Sequence, residues 1–188
     1  MKRKNMMIGL LILLILITEA CLISQVPQNA AITPTTTSSN SQANVPVWGH
    51  QTKTSGCVAS GPFPDPACTP GDIFPDATKA KICVSGYSQT VRDVPESEKN
   101  KVYAEYGIKS HTSGQYEVDH FVSLELGGSN DIANLFPEAA SPKPGFHEKD
   151  KVENYLHDQV CSGAMTLQEA QVKIATNWLA VYNSMPTK

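Results

Sequence analysis

The clearest hydrophobic pattern lies in the C-terminal third of the chain, where apolar residues recur at intervals of three and four. This spacing places them on one face of an α-helix, and it predicts a helix over residues 147–161 and another starting at Thr166. Gly163 can end the first helix, and Thr166 with Glu169 fits the capping box that begins the second. The expected core-facing residues are Val152, Tyr155, Leu156 and Val160 in the first helix, and Leu167, Ala170, Ile174, Trp178 and Val181 in the second.

The middle of the chain alternates apolar and polar residues, as a β-strand does. This pattern predicts a strand over 116–126 that ends at Gly127 and Gly128, two residues suited to a backbone conformation closed to other residues. A short apolar piece at 134–136 predicts a second strand. A helix over 95–106 and a short strand at 81–84 are expected before them, so the predicted fold class is α+β.

The N-terminal 20 residues have the pattern of a secretory signal. Three basic residues precede an apolar run over 6–17, which is shorter than the ~20 residues that a membrane-spanning helix needs. The run leads to Thr-Glu-Ala-Cys, which resembles a lipoprotein cleavage site with Cys21 as the lipidated residue, although Thr18 and Glu19 depart from the usual residues. Ordinary cleavage and an uncleaved anchor are the alternatives. We therefore expect export, with membrane attachment through a lipid at Cys21.

The segment 22–46 is rich in Thr, Ser, Asn, Gln and Pro and has almost no charged residues. Such a composition buries too little apolar surface to offset the entropy of ordering, so the segment is predicted to be a disordered tether. The remainder, 47–188, has the size of one domain, and its first 40 or so residues are rich in Gly and Pro and read as loops.

Four cysteines remain beyond Cys21, and an even number in an exported chain indicates two disulfides with three possible connectivities. We favour a local bridge between Cys57 and Cys68 and a long-range bridge between Cys83 and Cys161. A zinc site is the competing interpretation, but no C-x-x-C motif is present to support it.

The charge of the chain excludes a protein that grips nucleic acid by basic charge alone. The full sequence has a formal net charge of −3, and loss of residues 1–20 removes three cations and Glu19, which leaves about −5. Any contact with nucleic acid is therefore expected to be local and assisted by a metal ion.

The Asp119–His120 pair is the first chemical feature that the strand pattern does not explain. Successive side chains of a strand point to opposite faces, so one of the two should face inward, and a buried carboxylate is costly without a partner. A cation held between Asp119 and His147, at the start of the next helix, satisfies this need. An ion pair of Asp119 with Lys109 or Lys149 is the structural alternative.

The run DHFVSLELGGSNDIANL resembles the HNH endonucleases, also called ββα-metal or His-Me finger nucleases. The similarity covers about residues 116–153. It implies a ββα-metal core, with additional helices and a disulfide-stapled, loop-rich N-terminal part around it. It also implies that His120 is the general base and that Asn134 fixes the active-site loop and orients that base. Asp119 and His147 are the implied ligands of one divalent metal ion, and Mg, Mn, Ni and Zn all suit a carboxylate with an imidazole.

Two departures from this family leave roles open. The paired C-x-x-C motifs of many members are absent, and the helix begins FHEKDKVEN, so Asp150 or Glu153 is an alternative metal ligand to His147. Glu117 either supports a ligand or is simply solvated. Three cations either contact phosphate or are ordinary surface charges, namely Arg92, Lys149 and Lys151.

The sequence as a whole predicts an exported, metal-dependent endonuclease that hydrolyses DNA, with RNA as the alternative substrate, and has weak sequence preference. It belongs to the cell envelope or to a secreted or periplasmic fraction, and no protein partner is evident. The alternative is a catalytically inactive surface module built on the same fold.

Overall fold

The structure is a computed structural model that describes residues 46–186. The predicted signal segment, Cys21 and nearly all of the predicted tether lie outside this range. The described part is a mixed α+β fold with five α-helices and one two-stranded antiparallel sheet. None of its helices has the length and apolar character needed to cross a membrane. Its elements are α1 (Lys79–Ile82), α2 (Tyr87–Val91), α3 (Glu96–Glu105), β1 (Tyr116–His120), β2 (Leu135–Ala139), α4 (Phe146–Ser162) and α5 (Leu167–Ser184).

The two long C-terminal helices form the larger core, as their periodicity predicts. Val152, Leu156 and Val160 of α4 are fully buried against α5, whose own fully buried residues include Ile174 and Trp178. Each such side chain contributes roughly 1.5–3 kcal/mol through removal of apolar surface from water. The predicted capping box of α5 is present, and Gly163 ends α4 with a φ of 87°.

One residue interrupts α5. Asn177 has φ −163° and ψ 72°, which are not helical angles, and its side-chain oxygen accepts a hydrogen bond from the Ala180 backbone N–H at 3.1 Å. Asn177 therefore caps the last part of the helix locally. Trp178 follows it directly and donates its indole N–H to the Pro62 carbonyl at 3.3 Å, which attaches this part to the N-terminal loops.

The predicted strand over 116–126 is too long. β1 ends at His120, and residues Leu124–Leu126 form a 3₁₀ turn instead of a strand continuation. Burial does not alternate beyond His120, since every residue from His120 to Leu124 is buried. The side chain of Asn134 binds the backbone N–H and carbonyl of Val122. A strand partner therefore cannot bind there. The second predicted strand exists and is longer than expected, since β2 extends to Ala139.

The prediction of a strand at 81–84 is wrong, because these residues lie in and just after α1. Thr78 provides the helix start, since its side-chain oxygen accepts the Lys81 N–H at 3.4 Å. The helix over 95–106 is confirmed as α3, which Gly107 follows with a φ of 69°. The hydrophobic pattern did not predict α2, because this helix has no buried residue.

Both favoured disulfides are present, Cys57–Cys68 and Cys83–Cys161. The first closes a local loop in the Gly- and Pro-rich segment. The second joins the C-terminal cap residue of α1 to the last turn of α4, across a sequence separation of 78. Two disulfides indicate an oxidising, non-cytoplasmic environment.

Candidate active site

Asp119 and His120 lie at the end of β1, and their side chains leave the sheet on opposite faces. In the antiparallel register Asp119 is opposite Phe136 and His120 is opposite Leu135 of β2. The Asp119 side chain reaches Lys149 of α4, whereas His120 is 1% exposed and bonds to Asn130 in the loop between the strands. The strand alternation therefore separates the carboxylate and the imidazole as expected.

Asn134 fixes the loop that joins the two strands. Its Oδ1 accepts hydrogen bonds from the backbone N–H groups of Val122 (2.8 Å) and Asp72 (3.3 Å). Its Nδ2 donates to the carbonyls of Val122 (3.0 Å) and Ser129 (2.8 Å). All donors and both acceptor positions of this fully buried amide are thereby satisfied. The resemblance implied that Asn134 fixes the active-site loop and orients the base; in the structure Asn134 binds the loop backbone and makes no hydrogen bond to His120.

The two glycines of the loop serve different needs. Gly127 has a φ of 75°, in the region that favours glycine. Gly128 does not have a φ in the left-handed region, but a Cβ there would lie 1.7 Å from the Val122 carbonyl oxygen and 3.0 Å from Asn134 Nδ2. Gly128 is therefore required by the close approach that lets Asn134 bind the Val122 backbone.

Lys149 occupies the space between β1 and α4. Its ammonium is fully buried and donates to Asp119 Oδ2 (2.7 Å), to the His120 carbonyl (2.8 Å) and to Glu153. Burial alone would lower the pKa of Lys149, but the charges of Asp119, Glu153 and Glu138 raise it, so the side chain stays an ammonium. All three of its donors are used by the protein. The alternative of an Asp119–Lys149 ion pair is thus observed, and Lys149 has no donor left for phosphate in this structure.

Glu138 of β2 completes this buried group. It is 1% exposed, neither of its carboxyl oxygens has a hydrogen-bond partner, and the nearest cation is Lys149, 4.0 Å away. Burial raises the pKa of Glu138 to about 10, with a further contribution from Asp119, so it holds a proton at neutral pH. Burial also raises the pKa of Glu153, to about 7, while the Lys149 charge opposes that shift. At Asp119 burial alone would raise the pKa, but the charge and hydrogen bond of Lys149 oppose it, and the pKa is lowered.

His120 is neutral at pH 7, because burial lowers its pKa to about 4. Its Nε2 lies 3.1 Å from the side-chain oxygen of Asn130, and its Nδ1 is buried with no partner. The Arg92 charge also lowers the pKa of His120. A neutral imidazole with one free nitrogen can accept a proton, which is the property that a general base needs.

The other predicted ligands lie on the outer edge of the same region. His147 is exposed in the first turn of α4, its ring lies 4.2 Å from that of Phe146, and it makes no hydrogen bond or ion pair with Asp119. Burial raises the pKa values of Asp150 and Glu117, and the negative charge of Asp119 raises both further. Carboxylates therefore crowd together at this edge, although no three metal-ligating atoms here lie within 4.8 Å of one another.

A cleft of about 380 Å³ begins beside this edge, next to β1. Two cations, three aromatic rings and one carboxylate line it, namely Arg92, Lys99, Tyr103, Tyr116, Phe146 and Glu117. Arg92 is exposed and forms no ion pair with another described residue. Lys151 lies elsewhere, 3.6 Å from Glu148 and above the ring of Tyr182.

One further group has the composition of a metal site. Ligand atoms of Cys83, His157 and Cys161 lie within 4.8 Å of one another. The two sulfurs are joined in a disulfide, however, and His157 Nε2 lies 3.0 Å from the Ile82 carbonyl. Without thiolates this group lacks the ligands that zinc requires.

Sequence reasoning missed Glu138 and Asn130. Glu138 follows Leu135, Phe136 and Pro137, so it is a carboxylate in an otherwise apolar strand, the same signal that singled out Asp119. Asn130 gave no comparable signal, because polar residues are ordinary in a loop. Its contact with His120 is visible only in three dimensions.

Comparison of the chain with models of protein families, with curated proteins and with solved structures found no match. Support for a function therefore comes from the residues and contacts of the site. These consist of a neutral histidine with a free nitrogen, a carboxylate at the same strand end, an acidic edge, and a cleft with two cations.

Proposed function

We propose that the protein is an exported, metal-dependent endonuclease that hydrolyses phosphodiester bonds in DNA, with RNA as the alternative substrate. The observation that carries the proposal is the placement of Asp119 and His120 at the end of β1, where Asn134 binds the backbone of the following loop and Lys149 of α4 binds Asp119. The order strand, loop, strand, helix is the one that the HNH resemblance implies.

The donor set suits a divalent cation in its chemistry. Glu117, Asp119 and Asp150 offer carboxylate oxygens and His147 offers an imidazole, which together suit Mg²⁺, Mn²⁺, Ni²⁺ or Zn²⁺. Burial is the main cause of the raised pKa values of Glu117 and Asp150, and the negative charge of Asp119 adds to it; a cation bound at this edge would favour the ionised form of both. We propose that Asp119 and His147 hold the ion, with Asp150 as the alternative helix ligand. Glu153 is the further alternative; it accepts hydrogen bonds from Lys149 and Ser123, as Asp119 accepts from Lys149 and the His120 backbone N–H, so an ion on either carboxylate would compete with these donors.

In the proposed reaction His120 takes a proton from the attacking water. Its Nδ1 is free, and the depressed pKa keeps the ring unprotonated above about pH 5. A bound divalent ion would supply positive charge to the phosphate and to the leaving oxygen. Arg92 lines the cleft and its charge acts on His120, so we propose that it attracts the phosphate toward the base.

A second function, a binding module without catalysis, is favoured by one observation. The Lys149 ammonium occupies Asp119 Oδ2, and His120 is almost inaccessible to solvent. Catalysis therefore requires water and phosphate to reach His120 Nδ1, whereas a binding module does not.

The two disulfides support an exported protein, because both need an oxidising environment. We propose that the N-terminal signal directs export and that a lipid on Cys21 attaches the protein to a membrane of the cell envelope. Mass analysis of the N-terminal peptide from a membrane fraction tests this, since lipidation of Cys21 adds a defined mass.

The test of the enzyme proposal is a cleavage assay with the disulfide-intact protein. Supercoiled plasmid and a structured RNA are incubated with EDTA or with each of the four divalent metals. We expect nicking with metal, none with EDTA, and a loss of at least ~100-fold in His120→Ala. His50→Ala is the matched control, because His50 is exposed and outside the site. Cleavage by folded His120→Ala within tenfold of wild type contradicts the role of His120, and no cleavage by wild type with any metal favours the binding module.

A further inference from the structure

The side-chain amide of Asn130 can adopt only one orientation. Its Nδ2 donates to the Val91 carbonyl at 2.7 Å, and its Oδ1 accepts the Asp93 backbone N–H at 3.2 Å. A carbonyl only accepts and a backbone N–H only donates, so exchanging the amide nitrogen and oxygen would break both bonds. The oxygen of Asn130 must therefore face His120.

This orientation determines which nitrogen of His120 carries hydrogen. The Asn130 oxygen lies 3.1 Å from His120 Nε2 and cannot donate, so the hydrogen must be on Nε2. In a singly protonated imidazole the other nitrogen, Nδ1, then has a free lone pair. Nδ1 is also the ring atom that the protein leaves without a partner.

We propose that Asn130 is a positioning residue that holds His120 in the Nε2–H tautomer and so makes Nδ1 the proton-accepting atom. The inference rests on the proposed phosphodiester hydrolysis. In that step Nδ1 takes one proton from water while the water oxygen bonds to phosphorus. The bond from phosphorus to the leaving oxygen breaks, the leaving oxygen takes a proton from solvent, and the imidazolium then releases its proton to solvent.

The same contacts also place Arg92. Val91 and Asp93, the two residues bonded by Asn130, flank Arg92 in the chain after α2. One amide therefore fixes both the tautomer of the base and the backbone that carries the exposed guanidinium. Asn134 cannot serve this purpose, since all of its hydrogen bonds go to backbone groups of other residues.

The tautomer is read directly by two-dimensional ¹H–¹⁵N NMR of the histidine rings in ¹⁵N-labelled protein, with His120→Ala to assign the signal. We expect a protonated-type signal for Nε2 and an unprotonated-type signal for Nδ1 in the wild type. Asn130→Ala is expected to give a mixture of tautomers and to lower kcat by about 10- to 100-fold with little change in KM. Asn100→Ala, an exposed substitution of the same kind on α3, should change neither.

Asn130→Asp separates positioning from simple support of the loop. The carboxylate keeps an acceptor for His120 and for the Asp93 N–H but loses the donor to Val91. We expect it to retain the Nε2–H tautomer and a kcat within tenfold of wild type, whereas a purely structural role requires it to behave like Asn130→Ala.

A wild-type spectrum with hydrogen on Nδ1 overturns the inference, as does an unchanged tautomer and rate in Asn130→Ala. A wild-type protein that cleaves no substrate overturns the proposed function instead. In that case the spectra alone decide whether Asn130 sets the tautomer.

Discussion

The ammonium of Lys149 lies 2.7 Å from Asp119 Oδ2, with no solvent exposure of the lysine side chain. Lys149 of α4 thus provides the positive partner that the Asp119 carboxylate at the end of β1 requires. The pair also joins the strand to the helix, because the same ammonium bonds to the His120 carbonyl and to Glu153 of α4.

Replacing Lys149 by Met should destabilise the fold strongly. The substitution leaves Asp119 and Glu153 without a cation in a buried site, and breaking such a pair costs about 3–5 kcal/mol. Chemical denaturation at pH 7 measures the change in the free energy of unfolding. Lys151→Met is the control, since Lys151 is exposed and should change stability by less than about 0.5 kcal/mol. A loss below about 1 kcal/mol for Lys149→Met would mean that the group relaxes into water.

Asn134→Ala should also lower the free energy of unfolding strongly. It leaves four backbone groups around the loop without their partner, and each buried, unsatisfied group costs about 1–3 kcal/mol. We expect a loss of at least about 3 kcal/mol in denaturant unfolding. Asn154→Ala on the exposed face of α4 should lose less than about 1 kcal/mol. Equal stability of the two variants would contradict the role of Asn134 in holding the loop through its four backbone hydrogen bonds.

Glu138→Gln should stabilise the protein, and more so as pH rises. The pKa of Glu138 is raised to about 10 in the fold, while the unfolded chain has its ordinary value near 4.5. Between these values the folded state binds the extra proton, so the wild type loses stability as pH rises. Gln does not titrate, and its gain should reach at least about 1 kcal/mol by pH 8 and vanish below pH 4.5.

Thermal melts of Glu138→Gln from pH 4 to pH 8 measure this trend. Glu148→Gln is the matched control with the opposite expectation, because the Gly145 N–H lowers the pKa of Glu148 and removal of that charge should not stabilise the fold. A gain that is constant with pH would show that Glu138 is ionised in the folded protein.

Metal binding should distinguish the two candidate helix ligands. Titration calorimetry of wild type, His147→Ala and Asp150→Ala with Mn²⁺ and Zn²⁺ measures each affinity. We expect His147→Ala to weaken binding by at least tenfold, because it removes the imidazole ligand, and Asp150→Ala to weaken it less. The reverse order would assign the helix ligand to Asp150. Unchanged binding in both variants would exclude this edge as the metal site.

The sequence predicted those parts of the molecule that local patterns determine. The periodicity of α4 and α5 follows from residues such as Leu156 and Ile174. The number of cysteines indicated two disulfides and left three connectivities, of which the favoured one is observed. The end of β1 could not be predicted, because it depends on Asn134 reaching back twelve residues to the backbone of Val122. The burial of Lys149 could not be predicted either, because a lysine near the start of a helix is normally a surface charge.

For the candidate site, the sequence predicted which residues matter better than it predicted which of them are in contact. Asp119 was expected to need a partner, and both a metal and Lys149 were considered; the ion pair is observed, while the metal remains a proposal. The partner of His120 was expected to be Asn134 and is Asn130. Which of two loop amides reaches an imidazole depends on the path of the loop, and no spacing rule supplies that path.

The long disulfide has a consequence for the response of the protein to proteolysis. Cys83 and Cys161 enclose all of the candidate site residues from Arg92 to Glu153, so one peptide-bond cleavage anywhere between the cysteines leaves a single covalent molecule. The two fragments would stay together on a non-reducing gel and separate only after reduction. The site can therefore survive a nick in an exposed loop, such as the one around Ser113, that would divide an uncrosslinked chain.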